Sequence, residues 1–168
     1  MAQHGCPQAE RSADSIDVPF TILALGSPHG DDRVAWHVAD RLESDPRFTG
    51  NVHRIVSPWD VIDHLDEGCR VVILDACRSG APVGTIVRRT GQTLREAQER
   101  TRSTHGGSLT EALQMARALG KECDDILILA IEIESTGSDR EISPPVLQAA
   151  LELENEVRSR LLQESAIA

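Results

Sequence analysis

The stretch RVVILDA, residues 70–76, is a short continuous apolar run that ends in an acid. Two runs of similar character are FTILAL (20–25) and DILILAIEI (125–133). Strands that are apolar without an alternation of period two are typical of parallel sheets buried on both faces. These three runs therefore predict the central strands of a sheet that is covered by helices.

Four further segments complete the pattern. NVHRIVS (51–57) and TIVRRT (85–90) are strand-like, whereas residues 31–42 and 59–66 place apolar side chains near helical spacing. Strands that alternate with helices form βαβ units. We therefore predict an α/β fold, a three-layer sandwich in which a mostly parallel, twisted sheet carries helices on both faces.

Two further helices have recognisable starts. In SLTEALQMARALG (108–120), Ser108 and Glu111 have the spacing of a capping box. The last helix is predicted to open at Ser143, with Pro144 at its first position, and to end about 20 residues later.

Length and composition indicate one globular domain. The chain has 168 residues, of which 40% are hydrophobic and 26% charged, the ordinary balance of a folded protein. Residues 1–17 are polar and lack periodicity. We predict that they form a disordered tail and that residues 18–164 form a single domain.

The charge balance and the aromatic content argue against a nucleic-acid partner. Seventeen basic against 27 acidic residues give a net charge of −10, and the aromatic residues are two Phe and two Trp. This argues against nucleic-acid binding, which depends on cations and stacking rings.

The sequence has no signal peptide or membrane-spanning run, and its four cysteines have no C-x-x-C spacing. We expect a cytoplasmic protein with reduced thiols and no membrane association.

Metal-competent side chains follow the predicted strands and precede the capped helix. Asp31 and Asp32 follow the first strand, Asp75 ends the run VVIL, and His105 lies in a glycine-containing loop. In an open α/β sheet, ligands bind at the carboxyl ends of the strands. Two carboxylates and an imidazole from three loops would suit a divalent transition metal with open coordination positions.

Each of these residues also has a structural interpretation. Asp31 and Asp32 could cap the following helix, Asp75 could form a turn, and His105 could be structural or solvated. Cys77 could be a nucleophile with His105 as its base, or simply a small half-buried residue. The residues alone therefore support metal binding or metal-assisted chemistry without deciding between them.

Four segments, in order along the chain, carry a family resemblance. They are ILALGSPHGDDRVAWHVADRL from residue 22, VVILDACRSGAPVGTI from 71, STHGGSLTEALQMARALG from 103 and ISPPV from 142. Together they resemble the hydrogenase maturation proteases, the family that trims the large subunit of nickel–iron hydrogenases. The resemblance covers about residues 20–160.

The resemblance implies a nickel-recognising endopeptidase. It implies that Asp32, Asp75 and His105 are the catalytic, metal-ligating residues, and that nickel arrives with the substrate, without an organic cofactor. The implied partner is the hydrogenase large-subunit precursor, which loses a C-terminal extension after nickel insertion. Asp31 would orient a ligand or water, or cap a helix, and metal-activated water is the simplest route to hydrolysis. We expect the protein to be a monomer.

The chain departs from the family pattern near the paired acids. The usual Gly-x-Gly-Asn opening is reduced to Gly26-Ser27-Pro28, and Arg33 replaces a small residue. A cation there would repel a metal ion unless it points outward or pairs with an acid. Two other functions stay open: a non-catalytic sensor of the nickel-loaded precursor, and an unrelated α/β protein that binds a small anionic ligand.

Overall fold

The structure, a computed structural model, describes residues 20–48, 50–65, 70–100, 108–134 and 141–165. Within these ranges, five strands form one sheet: β1 (Phe20–Leu25), β2 (Asn51–Ile55), β3 (Arg70–Cys77), β4 (Ile86–Thr90) and β5 (Leu127–Glu132). The same ranges contain four α-helices, α1 (Val34–Glu43), α2 (Gly91–Arg100), α3 (Leu109–Ala118) and α4 (Pro144–Ser165). Two short 3-10 helices, Gly30–Arg33 and Pro58–His64, follow β1 and β2.

The strands lie in the order β2-β1-β3-β5-β4. β1 pairs in parallel with β2 and β3, and β3 pairs in parallel with β5. β4 is antiparallel to β5 at the edge of the sheet. The carboxyl ends of four strands therefore meet at one edge, and the predicted mostly parallel sheet is confirmed.

The sheet separates two apolar cores, which makes the predicted three layers. α1 and α4 cover one face, and the core there includes Ile22, Val38, Leu74, Ile131 and Leu153. α3 and the 3-10 helix Pro58–His64 cover the other face, and the core there includes Leu23, Val61, Ile73, Leu113 and Ile128. Alternate residues of one strand point to opposite faces, so a strand buried on both sides is apolar throughout.

Most element boundaries follow the sequence pattern. β1 spans the predicted residues 20–25, and α4 begins at Pro144 as predicted. At the start of α3, the Ser108 Oγ accepts a hydrogen bond from the Glu111 backbone N–H, and the Glu111 carboxylate accepts one from the Ser108 N–H. The predicted capping box is therefore present. The predicted tail, residues 1–17, lies outside the described residues.

Three helical segments differ from the prediction. The helix expected over residues 31–42 is divided into the 3-10 helix Gly30–Arg33 and α1. The helix expected over 59–66 is the 3-10 helix Pro58–His64. At its N-terminus, Ser57 and Asp60 form a second capping box. Helix α2 was not predicted, because Leu94 is the one leucine in its polar sequence GQTLREAQER and no apolar stripe results.

Ion pairs join α1 to α4 on the outer side of their shared core. Glu154 is buried and accepts hydrogen bonds from both Arg41 and Arg158. Arg158 also pairs with Asp45, just after α1. Although α4 has 22 residues, no helix in the described ranges is both long and apolar enough to cross a membrane.

Candidate active site

Asp32 lies in the loop between β1 and α1, and Gly26 fixes the path of that loop. A Cβ atom at residue 26 would come within 2.3 Å of the Asp32 carbonyl oxygen, so only glycine allows this close approach. The Ser27 N–H donates to the same carbonyl oxygen at 3.3 Å. The Trp36 Nε1–H donates to the Ala24 carbonyl at 3.1 Å and holds α1 against β1. These contacts set Asp32 at the carboxyl end of β1.

Asp75 lies near the carboxyl end of β3, the strand next to β1, and its side chain is largely withdrawn from water. Burial raises the pKa of the Asp75 carboxyl to about 7, although the Ala76 backbone N–H donates to its Oδ1 at 2.8 Å and opposes the rise. The negative charge of Asp32 raises this pKa further. The two carboxyl groups are therefore close enough to repel each other.

His105, the third predicted ligand, lies outside the described residues. Among the residues that are described, no group of three His, Cys, Asp or Glu side chains is arranged to hold a metal ion. The described part of the site is thus the pair Asp32 and Asp75. Two carboxylate groups held together favour a divalent cation, because a cation relieves their repulsion.

Asp31 does not cap the helix that follows it. The N-cap of the 3-10 helix Gly30–Arg33 is His29, and the N-cap of α1 is Arg33. Neither N-cap side chain forms a capping hydrogen bond with the helix. The Asp31 side chain is buried and accepts two hydrogen bonds from Ser143, from the backbone N–H at 2.6 Å and from Oγ at 3.1 Å. The helix-cap interpretation for α1 was wrong, because Asp31 binds the residue before α4 instead.

Arg33 follows the paired acids, and its side chain is exposed. Its charge has no part in the raised pKa of Asp75, which burial and Asp32 explain. Among the described residues, no acid pairs with Arg33.

Cys77 is held as a neutral thiol. Burial, a hydrogen bond to the Glu132 carboxylate, and the negative charges of Glu132 and Asp75 raise the pKa of Cys77 to about 12. A nucleophilic cysteine needs a lowered pKa, so this environment favours the structural interpretation of Cys77.

Glu132, at the end of β5, is the residue of this region that the sequence interpretation missed. It is 3% exposed, and hydrogen bonds from Ser79, Gly80 and Cys77 lower the pKa of its carboxyl to about 2. The available signal was one acid inside the apolar run DILILAIEI. An ionised group in such a run needs several donors, and the sequence does not show where they come from.

Comparison with known proteins identifies the class. The chain belongs to the hydrogenase maturation protease family, because the model of the HycI hydrogenase maturation protease family matches residues 37–160. The protein is accordingly a hydrogenase maturation endopeptidase, a hydrolase that acts on peptide bonds. No curated protein sequence matches the chain significantly.

Several solved structures share the fold. HybD, a hydrogenase maturating endopeptidase from E. coli, has a TM-score of 0.67 at 16% identity, over 86% of this chain and 93% of its own. HycI from Thermococcus kodakarensis KOD1, a [NiFe] hydrogenase maturation protease, has a TM-score of 0.61 at 23% identity, over 87% and 93%. An HycI endopeptidase from Escherichia coli has a TM-score of 0.63 at 19% identity, over 82% and 87%. At these identities the structural likeness supports the fold.

Proposed function

We propose that this protein recognises nickel in the large-subunit precursor of a nickel–iron hydrogenase and then removes a C-terminal extension from that precursor. One observation carries the proposal. Asp32, in the 3-10 helix that follows β1, and Asp75, near the end of the neighbouring strand β3, repel each other, and no described cation contributes to the pKa of Asp75. Such a pair is suited to receive a divalent cation that the substrate brings.

The course of the chain supports His105 as the third ligand. The chain runs from the end of α3 to the start of β5, which lies at the amino ends of the parallel strands. The first turn of α3 therefore lies toward the opposite edge of the sheet, where the carboxyl ends of the strands meet. α3 also covers the sheet face to which Ile73 projects, and Asp75 projects to that same face. His105 precedes Ser108, the first described residue before α3, by three residues in sequence.

The three ligands would leave coordination positions of the ion open for the precursor. A divalent ion bound there supplies Lewis-acid chemistry, because it polarises a peptide carbonyl and acidifies water. The chain's own residues hold the ion and orient the precursor's peptide beside it. Asp31 acts indirectly on the site, because its hydrogen bonds to Ser143 hold the turn that carries Asp32 in place.

The test is processing of a nickel-loaded precursor, followed by mass spectrometry. The wild type should release one C-terminal peptide and leave the nickel-free precursor and casein intact. Asp32→Ala, Asp75→Ala and His105→Ala should each abolish cleavage while circular dichroism stays native. Asp125→Ala, an exposed acid before β5 at the opposite edge, serves as the matched control and should cleave like the wild type.

Two outcomes would contradict the proposal. Wild-type cleavage rates in the His105→Ala variant would remove His105 from the site. A wild type that binds the verified nickel-loaded precursor without cutting it would instead favour the non-catalytic sensor.

A further inference from the structure

The connection between β3 and β4 is fixed by Glu132, a residue of β5 that lies far away in sequence. The Glu132 Oε2 accepts hydrogen bonds from the Ser79 N–H at 2.9 Å, the Ser79 Oγ at 2.7 Å and the Cys77 Sγ at 3.3 Å. The Glu132 Oε1 accepts one from the Gly80 N–H at 2.8 Å. The carboxylate therefore has four donors, all from residues 77–80.

The backbone of Glu132 holds the other end of the same connection. Its carbonyl accepts a hydrogen bond from the Gly84 N–H, and its N–H donates to the Thr85 carbonyl, both at 2.9 Å. Gly84 has a φ of 86° and lies against Pro145 at the start of α4, where a Cβ would come within 2.8 Å of a carbonyl oxygen. One residue thus determines the shape of residues 78–84 at both ends.

This connection lies beside the candidate site. In the parallel register, Asp75 lies opposite Ala130 and Cys77 lies opposite Glu132. Asp75, Cys77 and Glu132 therefore project to the same face of the sheet. Arg78, Ser79 and Gly80 are exposed, so they form the surface next to Asp75.

We propose that Glu132 is a positioning residue for peptide cleavage, because its carboxylate holds residues 78–84 in the shape that receives the substrate's peptide beside Asp75. The inference rests on the proposed function. A preformed binding edge lowers the ordering cost of binding, so its loss affects the binding of the precursor more than the chemical step. A merely structural carboxylate would change stability and leave KM and kcat as they are.

The variant that tests this is Glu132→Gln. An amide can accept on its oxygen alone, so the backbone N–H of either Ser79 or Gly80 loses its acceptor. Glu154→Gln is the matched control, since it also neutralises a buried carboxylate but lies between α1 and α4, away from this edge. Ser79→Ala is a milder second variant that removes one donor and keeps the carboxylate.

Two measurements separate the inference from the proposed function. In the free protein, amide hydrogen exchange should become about tenfold faster in Glu132→Gln at whichever of Ser79 and Gly80 loses its acceptor, and should stay unchanged at both in Glu154→Gln. With nickel-loaded precursor, KM should rise about tenfold and kcat should change less than about threefold. Ser79→Ala should move both quantities in the same direction by a smaller factor.

Each other result overturns one of the two statements. Unchanged exchange in Glu132→Gln would show that the carboxylate does not hold the loop, and faster exchange with wild-type KM would show that the loop does not receive substrate. Either result leaves wild-type cleavage and its loss in Asp75→Ala unaffected. Absence of cleavage in the wild type would overturn the proposed function, and with it the positioning role.

Discussion

At the scale of single residues, Asp75 is a group that the fold keeps in a costly environment. Its carboxyl has a pKa of about 7 because burial and the neighbouring Asp32 disfavour the charged form. A side chain chosen for stability alone would not be an acid at this position. Residues that lower stability in this way are concentrated at functional sites.

The first prediction follows from the sign of that shift. Because the folded-state pKa lies above the ordinary aspartate value of 3.8, the folded protein binds the extra proton between about pH 4 and pH 7. The contribution of Asp75 to stability is therefore most favourable below pH 4, declines up to about pH 7 and is constant above it. Asp75→Asn should remove this decline and make the metal-free protein roughly 2–4 kcal/mol more stable at pH 8, at about 1.4 kcal/mol per pKa unit.

Urea unfolding at pH 5 and pH 8, without added metal, measures this effect. Asp125→Asn, an exposed acid at the other edge of the sheet, is the control and should change little. An Asp75→Asn variant that is less stable than the wild type at pH 8 would show that the ionised carboxylate is well solvated or paired.

The candidate site was only partly predictable from these residues. Asp32 and Asp75 could be recognised because acids at the end of an apolar strand, or in the loop after it, reach the ligand-binding edge of an α/β sheet. The role of Gly26 could not be predicted, because it depends on the close approach of the Asp32 carbonyl oxygen. The role of Glu132 could not be predicted, because its hydrogen-bond donors lie far away in sequence. His105 stays a prediction, since it lies outside the described residues.

At the scale of elements, the start of α4 joins the loop that carries Asp32 to the connection that follows β3 and Asp75. Ser143, just before α4, binds Asp31 next to Asp32. Pro145, in the first turn, contacts Gly84 in the connection that follows Asp75 and β3. The relative position of the two carboxyl groups therefore depends on one helix terminus as well as on the sheet.

The second prediction concerns this junction. A lost cap on α1 would have cost about 1 kcal/mol in an Asp31→Ala variant. The structure predicts a larger loss of about 2–3 kcal/mol, because two hydrogen bonds to a buried charge disappear and the Ser143 N–H is left without an acceptor. Ser143→Ala keeps the backbone bond and should cost about 1 kcal/mol. Denaturant unfolding of both variants measures these losses in the free energy of unfolding. Equal losses in Asp31→Ala and Ser143→Ala would show that the backbone hydrogen bond contributes nothing to stability.

Elements were predictable where local patterns decide them. The central strands are marked by continuous apolar runs and α3 by its capping box, so their positions follow from the sequence. The division at Arg33 and the presence of α2 depend on the tertiary surroundings of polar segments, which periodicity does not report. The antiparallel direction of β4 likewise depends on pairing with β5, which follows it in the chain.

At the scale of the whole molecule, the proposed metal site is incomplete in the protein by itself. The three proposed ligands, Asp32, Asp75 and His105, are fewer than the four of a closed structural site. At neutral pH a proton also competes with the ion for Asp75, whose pKa is about 7. The isolated protein should therefore bind nickel weakly and without a defined stoichiometry.

Calorimetry with nickel chloride and the metal-free protein checks this third prediction. Adding the nickel-loaded precursor should produce a stable complex, whereas free nickel should not. Tight binding of one nickel ion per isolated chain would contradict the prediction and indicate storage or delivery of the metal.

The order of strands in the sheet has a consequence for the folding of this chain. β3 and β4 are neighbours in sequence and run in opposite directions, but β5, which follows both, lies between them. A hairpin of β3 and β4 would be a non-native pairing that must open to admit β5, and such late, non-local insertion is slow. Glu132 enters with β5, so the connection beside Asp75 takes its final shape only when the sheet is complete. A partly folded chain without β5 in place therefore lacks the hydrogen bonds that shape the backbone next to its two acids.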